Sequence, residues 1–267
     1  MTLYMIGLGL SGKDSISLKA LNALKKSSKI YLEEYTSLLP HSIEELEELI
    51  GKKVTALNRE DVEKTPEEIF EEATEKNASF IVIGDVFSAT THLDLWMRAK
   101  DRKLDVKIIN NASILNAVGN VGLDLYKYGR TTSIVFKEGE WIAETPYNAI
   151  RDNKSIGLHT LCLLDIKTAE PSKENLKKNH YEPEEPRYMS IKDALKILLE
   201  LEEKKNEKII TRNTIVVGVA RIGETSEIIK SGTVKELLEY DFGKPLHSLI
   251  IPGKLNHVEE EALNYHK

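Results

Sequence analysis

The chain of 267 residues carries 37 Lys and Arg against 43 Asp and Glu, a formal net charge of −6, with 41% hydrophobic residues. That is ordinary globular usage, which excludes a disordered or fibrous chain, and its acidic balance argues against general binding to nucleic-acid phosphates. A single cysteine, Cys162, excludes an internal disulfide and a multi-cysteine zinc site and suits a reducing compartment. No run approaches the roughly 20 apolar residues of a membrane span. The first residues, MTLYMIGLGLSG, place no basic stretch ahead of their short apolar run. The cytosol is therefore the expected location, and the length suffices for two compact lobes.

Residues 3–8 form a short apolar run that ends in glycines, and residues 15–26 place Ile16, Leu18, Leu21 and Leu24 roughly on one helical face. Strand, loop and helix follow. The rhythm repeats with a strand at 29–33, a helix at 43–50, a strand at 53–57 and an acidic helix at 66–76 that opens with proline. Residues 80–83 are a bare apolar run ending at Gly84-Asp85, as expected of a strand buried on both faces. A helix at 91–100 and a strand at 106–109 complete an alternation that predicts a mainly parallel sheet with helices on both faces. Ligands of such sheets bind at the carboxyl ends of the strands.

After Asn110-Asn111 the rhythm changes. Strands are expected at 132–136, 158–164, 214–219 and 247–251, separated by longer connections, so residues 1–111 read as an N-terminal α/β lobe and 112–267 as a mixed α/β C-terminal lobe. Residues 168–187 hold three prolines and many charges, which suggests an extended surface excursion before a helix at 191–201. Ser190 is placed to cap that helix, with Asp193 three residues on. The charged run 202–208 reads as a solvated helix end.

Gly7-Leu8-Gly9-Leu10-Ser11-Gly12 fits G-x-G-x-x-G between a strand and a helix, with Glu33 or Glu34 a little over 20 residues beyond. Alone, this pattern leaves a nicotinamide or flavin cofactor, another nucleotide-like cofactor and a purely structural turn all open. Cys162 sits inside an apolar run and reads as a buried, inert thiol. Neither a G-x-S-x-G elbow nor a P-loop sequence occurs.

Several segments taken together decide more than that loop. LYMIGLGL at 3–10, EYTS at 34–37, ATTH at 89–92, NASILNAVG at 111–119, LHTLCLLDIK at 158–167 and PLHSLII at 245–251 resemble, in order, the diphthine synthase family of the tetrapyrrole methylase-like superfamily. The resemblance spans nearly the whole chain. The stretches 111–119, 158–167 and 183–190 look most like the eukaryotic type.

The resemblance implies a two-lobed α/β methyltransferase, with S-adenosylmethionine in the cleft between the lobes and usually a homodimer. Its substrate would be the 3-amino-3-carboxypropyl-histidine intermediate on translation elongation factor 2, carried to a diphthine methyl ester. Cofactor contacts carry over to Leu10, Asp85, Ser88, Ser113 and Ile114, and to Leu164, Ile222 and His247. Composition alone would make Leu164 and Ile222 core residues.

No catalytic residue and no metal are implied. In this family the first glycine loop does not serve a dinucleotide, so Gly12 completes that motif incidentally. Methylation of a tetrapyrrole precursor is the nearest alternative, with an NAD-dependent oxidoreductase and a cofactor-free binding protein behind it. His92, beyond the presumed cofactor loop, reads either as a base for the incoming amine or as a hydrogen-bonded structural histidine. Tyr35, Tyr126 and Tyr128 read as packing residues first and as partners for a methylated cation second. The family has Gly-Asp-Pro where this chain has Gly84-Asp85-Val86, a departure that frees a backbone angle.

Overall fold

The structure, a computed structural model, describes residues 1–167 and 185–267. Most of the expected surface excursion at 168–187 thus lies outside the described residues. Two compact units divide the chain, Met1–Ala117 and Val118–Lys267, a few residues beyond the change of rhythm at 111.

The first unit is built on five strands, β1 (Thr2–Gly7), β2 (Lys29–Glu33), β3 (Thr55–Leu57), β4 (Ala78–Val82) and β5 (Asp105–Ile109), in the order β3-β2-β4-β1-β5. All their pairings are parallel. Two separate apolar clusters flank this sheet because successive residues face opposite ways. Leu3, Met5, Tyr31, Phe80 and Val82 face one cluster, while Ile6, Ile30, Leu32 and Ile81 face the other.

The connections are α1 (Leu18–Lys26), α2 (Ile43–Ile50), α3 (Arg59–Glu63), α4 (Glu67–Glu75) and α5 (Leu93–Asp101), with a short α6 (Ile114–Ala117) after β5. Helix α2 shows why these segments start and stop where they do. Ser42 accepts a hydrogen bond from the Glu45 amide, Leu46 and Ile50 are buried, and Gly51 ends the helix at φ 77°. The parallel arrangement sets the loops after β1, β2, β4 and β5 at one edge of the sheet.

The second unit holds a mixed sheet of β6 (Thr132–Ile134), β7 (Thr160–Leu164), β10 (Ile215–Ala220), β11 (Ile228–Thr233) and β12 (His247–Ile251), in the order β11-β10-β12-β7-β6. Only β6 and β7 run parallel, joined through α7 (Thr145–Ser155). A small ribbon pairs β8 (Ile166–Lys167) with β9 (Arg187–Tyr188). Helix α8 (Ile191–Lys205) buries Ile191, Ala194, Leu195, Leu198 and Leu201 in the core of this unit. The expected cap is present, with Ser190 and Asp193 forming a reciprocal box.

The charged run at the end of α8 is only partly a solvated face. Glu202 accepts the Tyr147 hydroxyl at 2.9 Å and the Ile209 and Ile210 amides at 2.8 and 2.9 Å, so it closes the turn that follows the helix. Helices α9 (Val234–Glu239) and α10 (His257–Asn264) complete the unit. Among the described residues no helix is long and apolar enough to cross a membrane.

Candidate functional site

The glycine loop after β1 is held against the loop after β4. Gly9 and Gly84 exchange backbone hydrogen bonds of 3.0 and 2.9 Å, and both take positive φ, near 82°. A Cβ on Gly7 would stand 2.5 Å from the Gly84 carbonyl oxygen, so the close approach of the two backbones requires glycine.

Gly12 serves a different purpose from the third glycine of a dinucleotide motif. A Cβ there would stand 2.3 Å from His41 Nε2, and that nitrogen accepts the Lys13 amide at 2.6 Å. The Ser11 amide is likewise taken, by Ser15 Oγ at 3.0 Å. A short 3-10 turn follows at Gly12–Ser15, and α1 begins only at Leu18. Two amides of this loop, those of Ser11 and Lys13, are therefore already paired inside the fold and not free for a pyrophosphate.

Asp85 is 7% exposed and organises the next loop. One carboxylate oxygen accepts the Phe87 amide at 3.1 Å and the Ser88 hydroxyl at 3.3 Å; the other accepts the Asn110 side-chain amide at 3.0 Å and the Asn111 backbone amide at 3.1 Å. The carboxylate thus ties the end of β4 to the end of β5. Asn111, which the sequence did not single out, adds a second tie, its Nδ2 donating to the Gly7 and Ser15 carbonyls at 3.2 and 2.9 Å. The Asn-Asn pair directly after a strand was the available signal.

Ser113, also buried, accepts the Leu115 amide at 3.3 Å, and its own amide donates to Asn116 Oδ1 at 2.8 Å. Leu10, Ser88 and Ile114 are half-buried. The first unit thereby brings all five of its expected contact residues to one edge of the sheet. Two aliphatic side chains, a hydroxyl and close-packed backbone suit a ligand that is apolar at one end and polar at the other.

In the second unit, Leu164 ends β7 and Ala220 ends β10, and the antiparallel registers set both beside the start of β12 at His247. Ile222 follows two residues after Ala220, so the three expected residues of this unit meet at one end of its sheet. His247 Nε2–H donates to the Lys244 carbonyl at 3.0 Å, while Nδ1 accepts the Ile191 amide at 3.4 Å. Burial, with the nearby Arg221 charge, holds its imidazole below the usual histidine range. Arg221 ties the flanking loops together, donating to the Phe242 carbonyl at 2.9 Å and to the Ser226 carbonyl at 2.9 Å.

His92 is a buried, hydrogen-bonded histidine. It is 1% exposed, with one ring nitrogen on the Val86 carbonyl at 3.2 Å and the other facing Glu33 and Tyr35. Both nitrogens are thus engaged inside the fold. Tyr35 is equally buried, with the Arg59 guanidinium 5.1 Å from its ring centre; Tyr126 is fully exposed. Burial pushes the Cys162 thiol up to about 12, so it stays protonated and inert. Among the described residues no group of three or more His, Cys, Asp or Glu is placed to hold a metal ion.

Val86 packs into the core of the first unit. Its carbonyl also accepts the Thr90 hydroxyl at 2.5 Å, so hydrogen bonds and packing set the loop's path where the family uses proline.

The family of Tetrapyrrole (Corrin/Porphyrin) Methylases matches residues 2–238. The chain is 50% identical to the diphthine methyl ester synthase of Kluyveromyces lactis over 96% of its own length and 86% of that protein's. It is 47% identical to the diphthine synthase of Methanocaldococcus jannaschii, with 98% of each chain covered. Its structure resembles a crystal structure described as a putative diphthine synthase from Entamoeba histolytica, with a TM-score of 0.87 and 38% identity over 100% of this chain and 98% of that one.

Proposed function

The chain belongs to the tetrapyrrole methylase family and, within it, to the diphthine synthases, methyltransferases of diphthamide biosynthesis; from that premise we propose that its methyl donor is S-adenosylmethionine and its acceptor a modified histidine of translation elongation factor 2. The observation that carries the donor assignment is the edge of the first unit's sheet, where Leu10, Asp85, Ser88, Ser113 and Ile114 gather. Leu164, Ile222 and His247 are the proposed contacts from the second unit. The tetrapyrrole-precursor and oxidoreductase readings are not favoured, since the relatives above are diphthine synthases and the Ser11 and Lys13 amides are already paired.

The donor supplies an activated methyl group on a cationic sulfonium. What the protein must add is alignment, because holding the reacting atoms about 3 to 3.5 Å apart and in line removes much of the barrier without a covalent intermediate. Leu10 and Ile114 offer apolar surface for a flat ring. The Ser88 hydroxyl and the backbone of the two glycine-containing loops offer polar partners. Asp85 contributes through the loop it orders, and its carboxylate would favour a positive sulfonium electrostatically. The acceptor amine would attack as the neutral base, with the methyl passing to nitrogen, S-adenosylhomocysteine as the leaving group and the displaced proton passing to solvent.

Resemblance to the eukaryotic type and to the methyl ester synthase of Kluyveromyces lactis supports a final transfer to the carboxylate oxygen. A homodimer in the cytoplasm completes the reading, which the family resemblance implies. Calorimetry with S-adenosylhomocysteine and with NAD tests the donor assignment. Binding of the first alone is expected, and binding of NAD alone would overturn it. For the acceptor, label from methyl-labelled S-adenosylmethionine is expected on elongation factor 2 that carries the unmethylated intermediate and not on factor lacking it.

A further inference from the structure

Two segments that alignment of donor and acceptor leaves without a task meet in the interior of the first unit. One is residues 33–36, at and just beyond the end of β2; the other is residues 90–92, directly before α5. The Val86 carbonyl can only accept, so His92 Nδ1 carries a proton and donates to it at 3.2 Å. His92 Nε2 then faces Glu33 Oε2 at 3.6 Å and the Tyr35 hydroxyl at 3.5 Å. Glu33 is 1% exposed and is fixed in turn by the Tyr35 amide at 2.6 Å, the Thr36 amide and the Thr36 hydroxyl at 2.6 Å. The edges of Phe80 and Tyr35 hold the imidazole ring, with centroids 5.1 and 6.1 Å away.

With Nδ1 protonated, Nε2 accepts the Tyr35 hydroxyl while Glu33 holds Tyr35 by its backbone amide, so the chain from Glu33 through Tyr35 and His92 ends on the residue next to Asp85. Further along the same loop, Ala89 has φ 63°, a left-handed conformation that a non-glycine residue keeps only when its surroundings impose it. A buried acid and histidine are also an expensive way to fill a core. An apolar ring of similar size would fill it with equal or greater stability, because burying charge and polarity costs solvation that such a pair only partly returns. The pair therefore needs a purpose other than stability.

We propose that Glu33 and His92 are positioning residues for methyl transfer, holding the 85–88 loop through the Val86 carbonyl in the form that receives the donor. The proposal rests on the reading of that loop as part of the donor site. Neither side chain touches the reacting atoms. Their effect passes through the hydrogen bond to Val86 and the position of Asp85 and Ser88 beyond it.

Titration calorimetry with S-adenosylhomocysteine, alongside thermal unfolding, tests this on the full chain. His92→Phe keeps the ring between Phe80 and Tyr35 and removes the bond to Val86. It is expected to fold with native or higher stability and to bind roughly tenfold more weakly, the equivalent of one hydrogen bond's net worth. His92→Asn, whose side-chain amide is placed to donate as Nδ1 does, is expected to recover most of that loss. Glu33→Gln, which keeps volume and loses charge, is expected to bind about threefold more weakly, a fraction of the same bond.

A merely structural role would lower stability in these variants and leave affinity in the folded protein untouched; that result overturns the proposal. Should His92→Phe not fold, weaker binding by Glu33→Gln beside near-native binding by His92→Asn supports the proposal, and native affinity in Glu33→Gln contradicts it. A native protein that binds no S-adenosylhomocysteine overturns the donor reading and this proposal together. A native protein that binds, with all folded variants binding equally, overturns the proposal alone.

Discussion

Each unit of this molecule buries one histidine against one glutamate, and the two pairs are wired in opposite senses. In the second unit His159 Nδ1 accepts the Gly253 amide at 2.9 Å, so Nε2 carries the proton and donates to Glu259 at 2.9 Å. In the first unit it is Nδ1 of His92 that carries the proton, on Val86, and the approach to Glu33 is a longer 3.6 Å. Glu259 is also met by Lys127 and by the Asp124 and Asn256 amides at 3.1 and 2.9 Å. The His159–Glu259 pair clamps helix α10 to its sheet, while His92 and Glu33 lean on a loop. The same residue types thus do different work according to which nitrogen the neighbouring backbone claims.

The sharpest way to break this comparison is to delete the tighter carboxylate. Glu259→Ala leaves Lys127, the His159 N–H and two amides facing a hole, and it is expected to lower unfolding stability by about 3 to 5 kcal/mol, as for one partner removed from a buried pair. Chemical denaturation reads this. Affinity for S-adenosylhomocysteine in the folded protein is expected to stay native, in contrast to His92→Phe.

Acid should weaken both pairs. Burial holds the His92, His159 and His247 imidazoles below the ordinary histidine value of 6.5, so below that pH the unfolded chain binds protons that the folded chain refuses. Their contribution is present above about 6.5 and is lost as pH falls. Burial raises Glu259, but Lys127, the Asn256 amide and His159 outweigh it and bring the group to about 2 from 4.5. Its contribution is present above 4.5 and is lost as pH falls toward 2, in the same sense. Denaturation midpoints measured from pH 8 downward are expected to decline through about 6.5, the unperturbed histidine range, and Glu259→Gln is expected to flatten the steeper loss at lower pH. A midpoint that rises on acidification contradicts both assignments.

The elements show where sequence was sufficient. Strand β2, helix α2 and strand β12 have the bounds that apolar patterning predicts, because each is either buried on both faces or cleanly amphipathic. Helix α7 and strand β11 escaped it. Ile228–Thr233 contains Lys230, Ser231 and Gly232 and lies at the sheet edge, where register against β10 and not alternation decides its state. Helix α10 carried a readable signal in the Asn256 and Glu259 capping box.

At the candidate site the loops were legible from the strand ends, whereas Asp85 and Ser113 were singled out only through the family resemblance. The role of His92 was not legible, because its tautomer depends on a carbonyl and a carboxylate that only the fold brings together. The third glycine misled for a similar reason: its partner, His41, is distant in sequence.

The smallest expected effect concerns chain stiffness. If His92 and Thr90, and not a rigid backbone, hold the loop, then Val86→Pro, which restores the family residue, should change S-adenosylhomocysteine affinity by less than about twofold, within the few tenths to 1 kcal/mol of a compatible proline. A tenfold gain would shift the credit from the hydrogen bonds to the missing ring.

The account as a whole stands on methyl transfer to a protein. Its most direct test is the mass of the modified histidine peptide after elongation factor 2 bearing the unmethylated intermediate is incubated with the protein and S-adenosylmethionine, before and after mild alkali. Gains in whole methyl steps are expected, with one methyl released by alkali as an ester and the rest retained on nitrogen. No mass gain, with the donor shown to bind, would contradict the account.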